Sequence, residues 1–297
     1  QSVKLNYSRQ RNSSYLNVRV RPDTRYQWGL VDSVPAGDVA PGSYPGRGVL
    51  DTYGANSGLN FKVVSMTGGY TGRLNKTYSY GGDEVRTRSI SYPNLTVNVQ
   101  RLEAFPLLKN FVKTSSISSS FNQSYEERYD FKATDTIPRL LSDSKGKSFD
   151  PLIRWSANWN KGISSNIDFA YSETKGNNYS VTDTVPSLTT NRRGSLRLGY
   201  TFSAPRGLSL PLLGGIKFST NATVNLGLNY SRTTSYYRDL QIPTNDTSTL
   251  GANIDISANF SSSITGGFNL DYSQTNDKNS VQDIRRVALN LWMNINF

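Results

Sequence analysis

Residues 287–297 read Val-Ala-Leu-Asn-Leu-Trp-Met-Asn-Ile-Asn-Phe, and this stretch decides the fold. Every second residue is apolar, and most of the residues between them are polar. Side chains of a β-strand point alternately to its two faces, so the pattern predicts a strand with one apolar and one polar face. Such a strand, closing on a final aromatic residue, is typical of bacterial outer-membrane β-barrels, in which lipid contacts the apolar face and the lumen the polar one.

The same two-residue period recurs upstream, most clearly in residues 250–260, 221–230, 195–202 and 16–21. The longer stretches exceed the about 5–6 residues of a typical globular strand and reach the about 9–11 that a tilted membrane-spanning strand needs. They predict an all-β fold, namely a transmembrane antiparallel β-barrel. A soluble sandwich produces the same alternation with its apolar face turned inward, and it stays open as an alternative.

Composition excludes several other classes of protein. With 36% hydrophobic residues and a mean hydropathy of -0.52, the chain is too polar for helices that each need about 20 apolar residues to span a bilayer. It has no His and no Cys, which removes His-assisted nucleophiles and the usual zinc ligands. We therefore predict no enzymatic activity, cofactor or metal. The net charge is +11, but the basic residues are scattered singly, so no nucleic-acid partner is predicted.

The alternation also assigns side chains to faces. The predicted lumen-facing residues are Arg19, Arg21, Arg73, Arg154, Arg197, Asn225, Asn253, Asp255, Asn290 and Asn294. The predicted lipid-facing residues are Leu226, Leu228, Ile254, Ile256, Leu289, Leu291 and Phe297. Lys76 is the one charged residue that the pattern places on the lipid face. The lumen face is mostly Asn, Ser and Thr, which suits a wide conduit that does not retain its cargo.

The whole chain, 1–297, is predicted to form one barrel wall. We count about thirteen strands: 3–9, 13–21, 51–64, 69–80, 88–102, 113–130, 151–160, 163–174, 191–203, 216–232, 249–261, 263–275 and 284–297. Long connections at 22–50, 131–150, 175–190 and 233–248 are predicted to be extracellular, because these barrels have short periplasmic turns and long external loops.

The odd count places residue 1 outside the cell, whereas complete bacterial barrels have an even number of strands. An unpaired strand in lipid leaves backbone groups without partners. The chain is therefore predicted to be the C-terminal portion, about 12 to 14 strands, of a larger barrel. A miscount by one strand leaves a self-contained barrel open.

Two predicted periplasmic turns, 102–112 and 204–215, are long and apolar, and proline interrupts both. Turns on that side are usually short. The first turn is a candidate docking ledge for a periplasmic partner at the inner interface. Ordinary packing of the turn against the barrel is the alternative.

One succession of motifs resembles a known family. Residues 92–102 read Tyr-Pro-Asn-Leu-Thr-Val-Asn-Val-Gln-Arg-Leu, followed by Phe-Pro-Leu-Leu-Lys-Asn-Phe at 105–111 and Ser-Ser-Ile-Ser at 115–118. This resembles the C-terminal region of the SprA/Sov family, the outer-membrane translocons of type IX secretion, although Leu95 stands where that family has Trp. Residues 149–153 and 159–163 resemble the family's next hairpin. The resemblance covers roughly residues 90–297 and implies a very large protein-conducting barrel, of which this chain is the last third.

Three functions follow as hypotheses. The leading one is a wall segment of a protein-conducting translocon in the bacterial outer membrane, in contact with the lipid bilayer and with the remainder of a larger barrel or neighbouring subunits. The second is a self-contained 12- to 14-stranded outer-membrane channel for small solutes. The third is a secreted all-β surface protein, which would need no detergent.

Overall fold

The fold is a single antiparallel sheet of twelve strands. The computed structural model describes residues 2–14, 21, 23–28, 46–78, 83–132, 137–180, 182–203, 208–210, 214–216, 221–238, 241–259, 263–280 and 282–295. The sheet strands are β1 (Val3–Ser14), β2 (Gly46–Asn60), β3 (Val64–Tyr78), β4 (Glu84–Gln100), β5 (Val112–Phe131), β6 (Arg139–Trp159), β7 (Ile163–Tyr179), β8 (Thr184–Ser203), β11 (Asn221–Tyr237), β12 (Pro243–Asn259), β13 (Ile264–Asp277) and β14 (Gln282–Ile295).

Minor elements lie between these strands. The short strands β9 (Leu208–Leu210) and β10 (Gly214–Ile216) form a separate two-stranded ladder. A single helical turn, α1, covers Thr24–Gln27, and 3₁₀ turns cover Leu102–Ala104 and Asn160–Gly162. No helix among the described residues is long and apolar enough to cross a membrane.

Each strand of the sheet pairs with the next one along the chain, β8 pairing with β11, so the sheet is a meander. Strands β1 and β14 are its two edges, and among the described residues they do not pair with each other. The prediction of an all-β antiparallel fold is confirmed. The sheet is an open wall rather than a closed barrel.

The predicted strands 3–9 and 13–21 imply a turn at residues 10–12, and this turn is wrong. Strand β1 continues through it, with Gln10 opposite Leu50, Arg11 opposite Val49 and Asn12 opposite Gly48. Three consecutive polar residues suggested a turn, but ladder hydrogen bonds come from the backbone and tolerate polar side chains on both faces. The strand predicted at 3–9 and the first two residues of the one predicted at 13–21 therefore form one strand, β1, and residues 15–20 of the second prediction lie outside the described residues. The described sheet has twelve strands rather than thirteen.

With an even count, the first strand begins and the last strand ends along the same border of the sheet, where strand ends rather than edge strands lie. Strand β1 begins and β14 ends at this border, which we call the near edge, and the opposite border is the far edge. The argument that placed residue 1 on the outer side depended on an odd count, so the structure removes it.

The predicted loops at 131–150, 175–190 and 233–248 are mostly strand. Strand β6 already begins at Arg139, β7 continues to Tyr179, β8 begins at Thr184, and β12 begins at Pro243. Residues 46–50 of the predicted 22–50 loop likewise belong to β2. These segments are polar on both faces, which resembles loop composition, but their backbones stay paired. The residues left between strands at the far edge number four to seven, except for 15–45.

The described part of the sheet has no conventional hydrophobic core. Its buried hydrophobic residues are Val49, Val112, Ala157, Ala222 and Ala258, and none of its large side chains is fully buried. Soluble domains bury apolar side chains between two packed layers. This structure places no second layer of described residues on the sheet, so its large apolar side chains face outward.

Candidate functional site

The sheet register sorts the predicted site residues onto two faces. Leu226 lies opposite Leu198 and Ile254, Ile254 lies opposite Leu270, and Leu270 lies opposite Leu289. The predicted lipid-facing residues therefore lie together on one face, which we call the apolar face: Leu226, Leu228, Ile254, Ile256, Leu289 and Leu291. Brought together on the opposite, polar face are Arg73, Arg154, Arg197, Asn225, Asn253, Asp255, Asn290 and Asn294.

Three predicted site residues fall elsewhere. Arg19 and Phe297 lie outside the described residues. Arg21 was predicted to face the lumen from a strand, but it lies beyond the end of β1, and its Nη2 donates to Gln27 Oε1 at 3.4 Å. The strand pattern seen around residues 16–21 therefore does not extend β1 as far as Arg21.

Apolar side chains on the apolar face form a band, which we call the apolar belt. It occupies nine residues in each of four neighbouring strands: Ala222–Tyr230, Leu250–Ala258, Ile264–Tyr272 and Val287–Ile295. It continues across the sheet through Leu198, Ile167, Trp155, Val97, Met66 and Leu5. Exposure is high at both ends of the sheet, 78% for Leu291 and 79% for Leu5. The belt height matches the about 9–11 residues of a tilted membrane-spanning strand.

The upper limit of the belt runs obliquely to the rows of paired residues. Counted from the near edge, the first charged residue on this face of β14 is Arg285. The row of residues paired with it across successive strands consists of Gln274, Leu250, Tyr230, Gly194 and Phe169. Beyond the irregular β5–β6 ladder the row runs through Val97 and Met66 to Leu59 in β2. The first charged residue on this face of β2 is Asp51, eight residues (59 − 51) nearer the far edge.

This offset gives the tilt of the strands, measured from the direction perpendicular to the upper limit of the belt within the sheet. Eight residues at about 3.3 Å each, over ten strand-to-strand steps of about 4.8 Å, correspond to a tilt of roughly 30°. Strands of outer-membrane barrels tilt by about 35–45°. A belt cut obliquely across the strands is therefore what a planar hydrocarbon layer requires of a tilted sheet.

Tyrosines mark the upper limit of the belt, and their hydroxyls point toward the far edge. The hydroxyl of Tyr171 donates to Glu173 at 2.9 Å, that of Tyr125 to Glu127 at 2.6 Å and that of Tyr272 to Gln274 at 3.0 Å. In each pair the acceptor is two residues further along the same face. Tyr7 at the sheet edge donates across the ladder to Asp51 at 2.9 Å. Tyrosine with an apolar ring and a hydrated hydroxyl suits a membrane–water boundary.

Beyond the tyrosines, the same face becomes densely charged, and we call this zone the charged collar. Its basic residues are Arg9, Arg11, Arg47, Lys76, Arg86, Arg88, Lys145, Lys147, Lys175, Arg192, Arg232 and Arg285. Its acidic residues are Asp51, Glu84, Glu127, Asp143, Glu173, Asp246 and Asp283. The sequence prediction placed Lys76 on this face, where the register also places it. It was wrong to place no other charged residue there, because most of the other collar charges had been assigned to loops or strand ends.

Ion pairs tie neighbouring strands together within the collar. The guanidinium of Arg232 binds both carboxylate oxygens of Asp246, at 2.7 and 2.8 Å, and Lys278 adds a contact at 3.5 Å. The hydrogen bond from Arg232 lowers the pKa of Asp246, against the opposing effect of burial. Asp246 thus stays ionised beside the belt, where an unpaired carboxylate would be costly.

The polar face contains a cavity of about 650 Å³ near the near edge. Strands β5 to β12 contribute its walls, so the polar face is concave there. Its lining includes Ser116, Asn158, Asn166, Asn225 and Asn253, with Glu103 from the 102–112 turn and Arg101, the residue before that turn. The lining is thus mostly neutral and hydrogen-bonding.

Arginines and carboxylates both lie on this polar face, and several of them form ion pairs. Arg154 pairs with Asp168 at 2.9 Å, and Arg193 bridges to Asp150 at 3.0 Å. Arg197 lines the cavity and, among the described residues, has neither an ion pair nor a side-chain hydrogen bond. No group of His, Cys, Asp or Glu among the described residues is arranged to hold a metal ion.

The 102–112 turn is compact and presents an apolar surface at the near edge. Backbone N–H groups of Leu108 and Val112 donate to the carbonyls of Phe105 and Leu108, and Glu103 Oε2 accepts from the N–H of Ser115 at 2.9 Å. Asn160 Nδ2 from the next turn donates to the Asn110 carbonyl. The ring of Phe105, the side chain of Leu107 and the ring of Phe111 remain exposed, Leu107 by 87%.

The second apolar turn is only partly described. Residues 204–207 and 211–213 of the predicted 204–215 turn lie outside the described residues, and the rest belongs to β9 and β10.

In comparisons with other proteins, no family model matches the chain, and no curated protein matches it in sequence.

Proposed function

We propose that this chain is a wall segment of a protein-conducting β-barrel in the bacterial outer membrane. In this proposal the apolar belt contacts lipid, the polar face lines the conduit, the near edge faces the periplasm and the far edge faces the outside. The charged collar and the strand extensions then stand in water above the outer leaflet. The observation that carries the proposal is the oblique, nine-residue apolar belt.

The belt also weighs against a secreted soluble protein. A soluble sheet with this alternation would cover its apolar face with a second layer, and the described residues provide none. Water would contact side chains such as Leu289, which is 62% exposed. Lipid removes that cost, because its hydrocarbon layer is as apolar as the belt.

The open edges support membership in a larger barrel. Each backbone N–H and C=O at an edge that lies in lipid needs a hydrogen-bond partner, because hydrocarbon supplies none. Strands β1 and β14 each have one unpaired side among the described residues. Further strands, from the remainder of a longer chain or from neighbouring subunits, would satisfy both edges.

Protein conduction is supported by two features. Residues 90–297 resemble the SprA/Sov translocons of type IX secretion, and the mostly neutral polar face offers weak hydrogen bonds rather than dense charged rings of an ion-selective pore. The 102–112 turn, with its exposed Phe105, Leu107 and Phe111, is the proposed docking ledge for a periplasmic partner.

The second candidate is a self-contained twelve-stranded channel for small solutes. It is favoured by the even strand count and by the shared near edge of the first and last strands. Closure would align the belt limits at Tyr7 and Val287, which sets Leu5 opposite Leu289.

Cysteine cross-linking separates the two candidates, because the natural chain has no Cys. The test pair is Leu5→Cys with Leu289→Cys, and Leu291→Cys replaces Leu289→Cys in a second pair to cover a register offset. The positive control is Leu270→Cys with Leu289→Cys, which are directly opposed in the β13–β14 ladder. We expect cross-linking in native membranes for the control pair only, and a native mass far above 33.0 kDa. Cross-linking of a test pair within a 33.0 kDa species would favour the channel.

A further inference from the structure

The apolar face carries a groove in the upper part of the belt. Its volume is about 630 Å³, and its apolar lining comes from β6, β7, β8, β11 and β12, including Leu152, Phe169, Leu196, Leu228, Tyr230 and Leu250. Gly194 forms the floor, because it lies directly between Phe169 and Tyr230 and has no side chain to fill the space. A Cβ at Gly194 would meet the Phe169 ring at 3.3 Å.

A cation stands at the far-edge end of this groove. Arg192 is the next residue after Gly194 on the same face, opposite Tyr171 and Arg232. Arg232 is engaged by Asp246, and the nearby Glu173 accepts from Tyr171 and pairs with Lys175. Arg192 itself is exposed and, within the part of the chain that the structure describes, has no ion pair or side-chain hydrogen bond.

We propose that this groove holds one acyl chain of a phosphate-bearing membrane lipid, whose phosphate binds Arg192. The inference rests on the proposed function, because it requires the belt to lie in a bilayer. The apolar lining suits the chain, and the guanidinium matches the phosphate in charge and geometry. The tyrosine row passes through Tyr171 beside Arg192, which is the level at which lipid phosphates meet the hydrocarbon layer.

The test uses the full chain, extracted in detergent and studied by native mass spectrometry with two probes. Phosphatidylglycerol carries a phosphate, and diacylglycerol has the same chains without one. We expect wild-type protein to retain phosphatidylglycerol preferentially. Gly194→Leu should fill the groove, and Arg192→Gln should remove the cation, each lowering retention by about tenfold, the loss expected for one charge-assisted contact or its equivalent.

Two matched controls separate the groove from the rest of the face. Gly68 is another glycine of the apolar face, and its Cβ would likewise meet one side chain, Leu95, at 3.3 Å. Lys145 is another exposed collar cation. Gly68→Leu and Lys145→Gln should leave lipid retention unchanged. Equal losses in the groove and control variants, or equal retention of both probes by the wild type, would overturn the proposal.

Flotation with phosphatidylglycerol–phosphatidylcholine vesicles distinguishes failure of this inference from failure of the proposed function. All five proteins should float with the vesicles and give β-rich circular dichroism spectra. If they float but Gly194→Leu retains lipid like the wild type, the groove proposal fails and the membrane wall stands. If the wild type does not float, the membrane assignment itself is wrong.

Discussion

The belt and the charged collar occupy the same face of the same strands, and their comparison is instructive. In β7 the belt presents Ile167 and Phe169, and the collar presents Glu173 and Lys175. Pairing of β7 with β8 runs through both zones without a register shift. Pairing with β6 resumes beyond one irregularity between Phe149 and Ile153. The two zones therefore differ in the chemistry of one face and not in secondary structure. Under the proposed function, lipid contacts the belt and water contacts the collar.

The largest effect should come from placing a charge in the belt. Ile254→Arg puts a guanidinium between Leu226 and Leu270 and should destabilise the membrane-inserted protein by about 2–4 kcal/mol. Asn276→Arg, on the same face but in the collar, and Asn253→Arg, on the polar face, should each cost less than about 1 kcal/mol. Denaturant unfolding in lipid vesicles measures all three. Equal costs would abolish the distinction between belt and collar.

A smaller effect is expected from a collar ion pair. Asp246→Asn removes the carboxylate that holds Arg232 and should cost about 1 kcal/mol at neutral pH, the upper end for partly exposed pairs. The folded-state pKa of Asp246 lies below its ordinary value of 3.8, so this stabilisation is present above that value and is lost as the pH falls through the folded pKa.

Thermal unfolding of wild type and Asp246→Asn at several pH values checks this prediction. The difference between the two proteins should shrink as the pH falls below about 3.8, the ordinary carboxyl value. Asp255→Asn, on the polar face, serves as the control. A difference that persists unchanged at low pH would show that the carboxylate charge does not stabilise the collar.

The smallest predicted effect concerns the boundary itself. Tyr171→Phe removes the hydroxyl that donates to Glu173 and should cost about 0.5–1 kcal/mol. Tyr200→Phe, nearer the near edge on the adjacent strand, should change stability little, since the Tyr200 hydroxyl has no hydrogen bond to another described residue. Chemical denaturation of the two variants in parallel makes the comparison. A larger loss for Tyr200→Phe would mean that the tyrosine row does not mark the boundary.

The sequence predicted the alternating faces well and the ends of the strands poorly. Period two assigned Leu226, Ile254 and Asn253 to their faces, because neighbouring strands pair without changing face. The same period vanished in the collar, where residues such as Lys145 and Ser144 are polar on both sides, and these stretches were taken for loops. Composition alone does not distinguish a hydrated strand from a hydrated loop, since only the ladder partner differs.

The groove at Gly194 and the ion pair between Arg232 and Asp246 were not predictable from one strand at a time. Both depend on which residues of three neighbouring strands face each other, and that register becomes visible only when the strands are aligned. The 102–112 turn shows the converse. Its apolar residues and its proline, Pro106, indicated an unusual near-edge segment, and three of those apolar side chains are exposed.

Nitroxide scanning of β13 tests most directly whether the apolar belt lies in lipid. A single cysteine is introduced at each position from 264 to 277, since the sequence has no Cys, and is spin-labelled. The labelled protein is reconstituted into lipid vesicles, and the collision rates of the label with oxygen and with a water-soluble nickel reagent are measured. We predict high oxygen accessibility at the even positions 266–272, a switch to the nickel reagent at 274 and 276, and nickel accessibility at the odd positions. Nickel accessibility at 268, 270 and 272 equal to that at the odd positions would contradict a belt embedded in lipid.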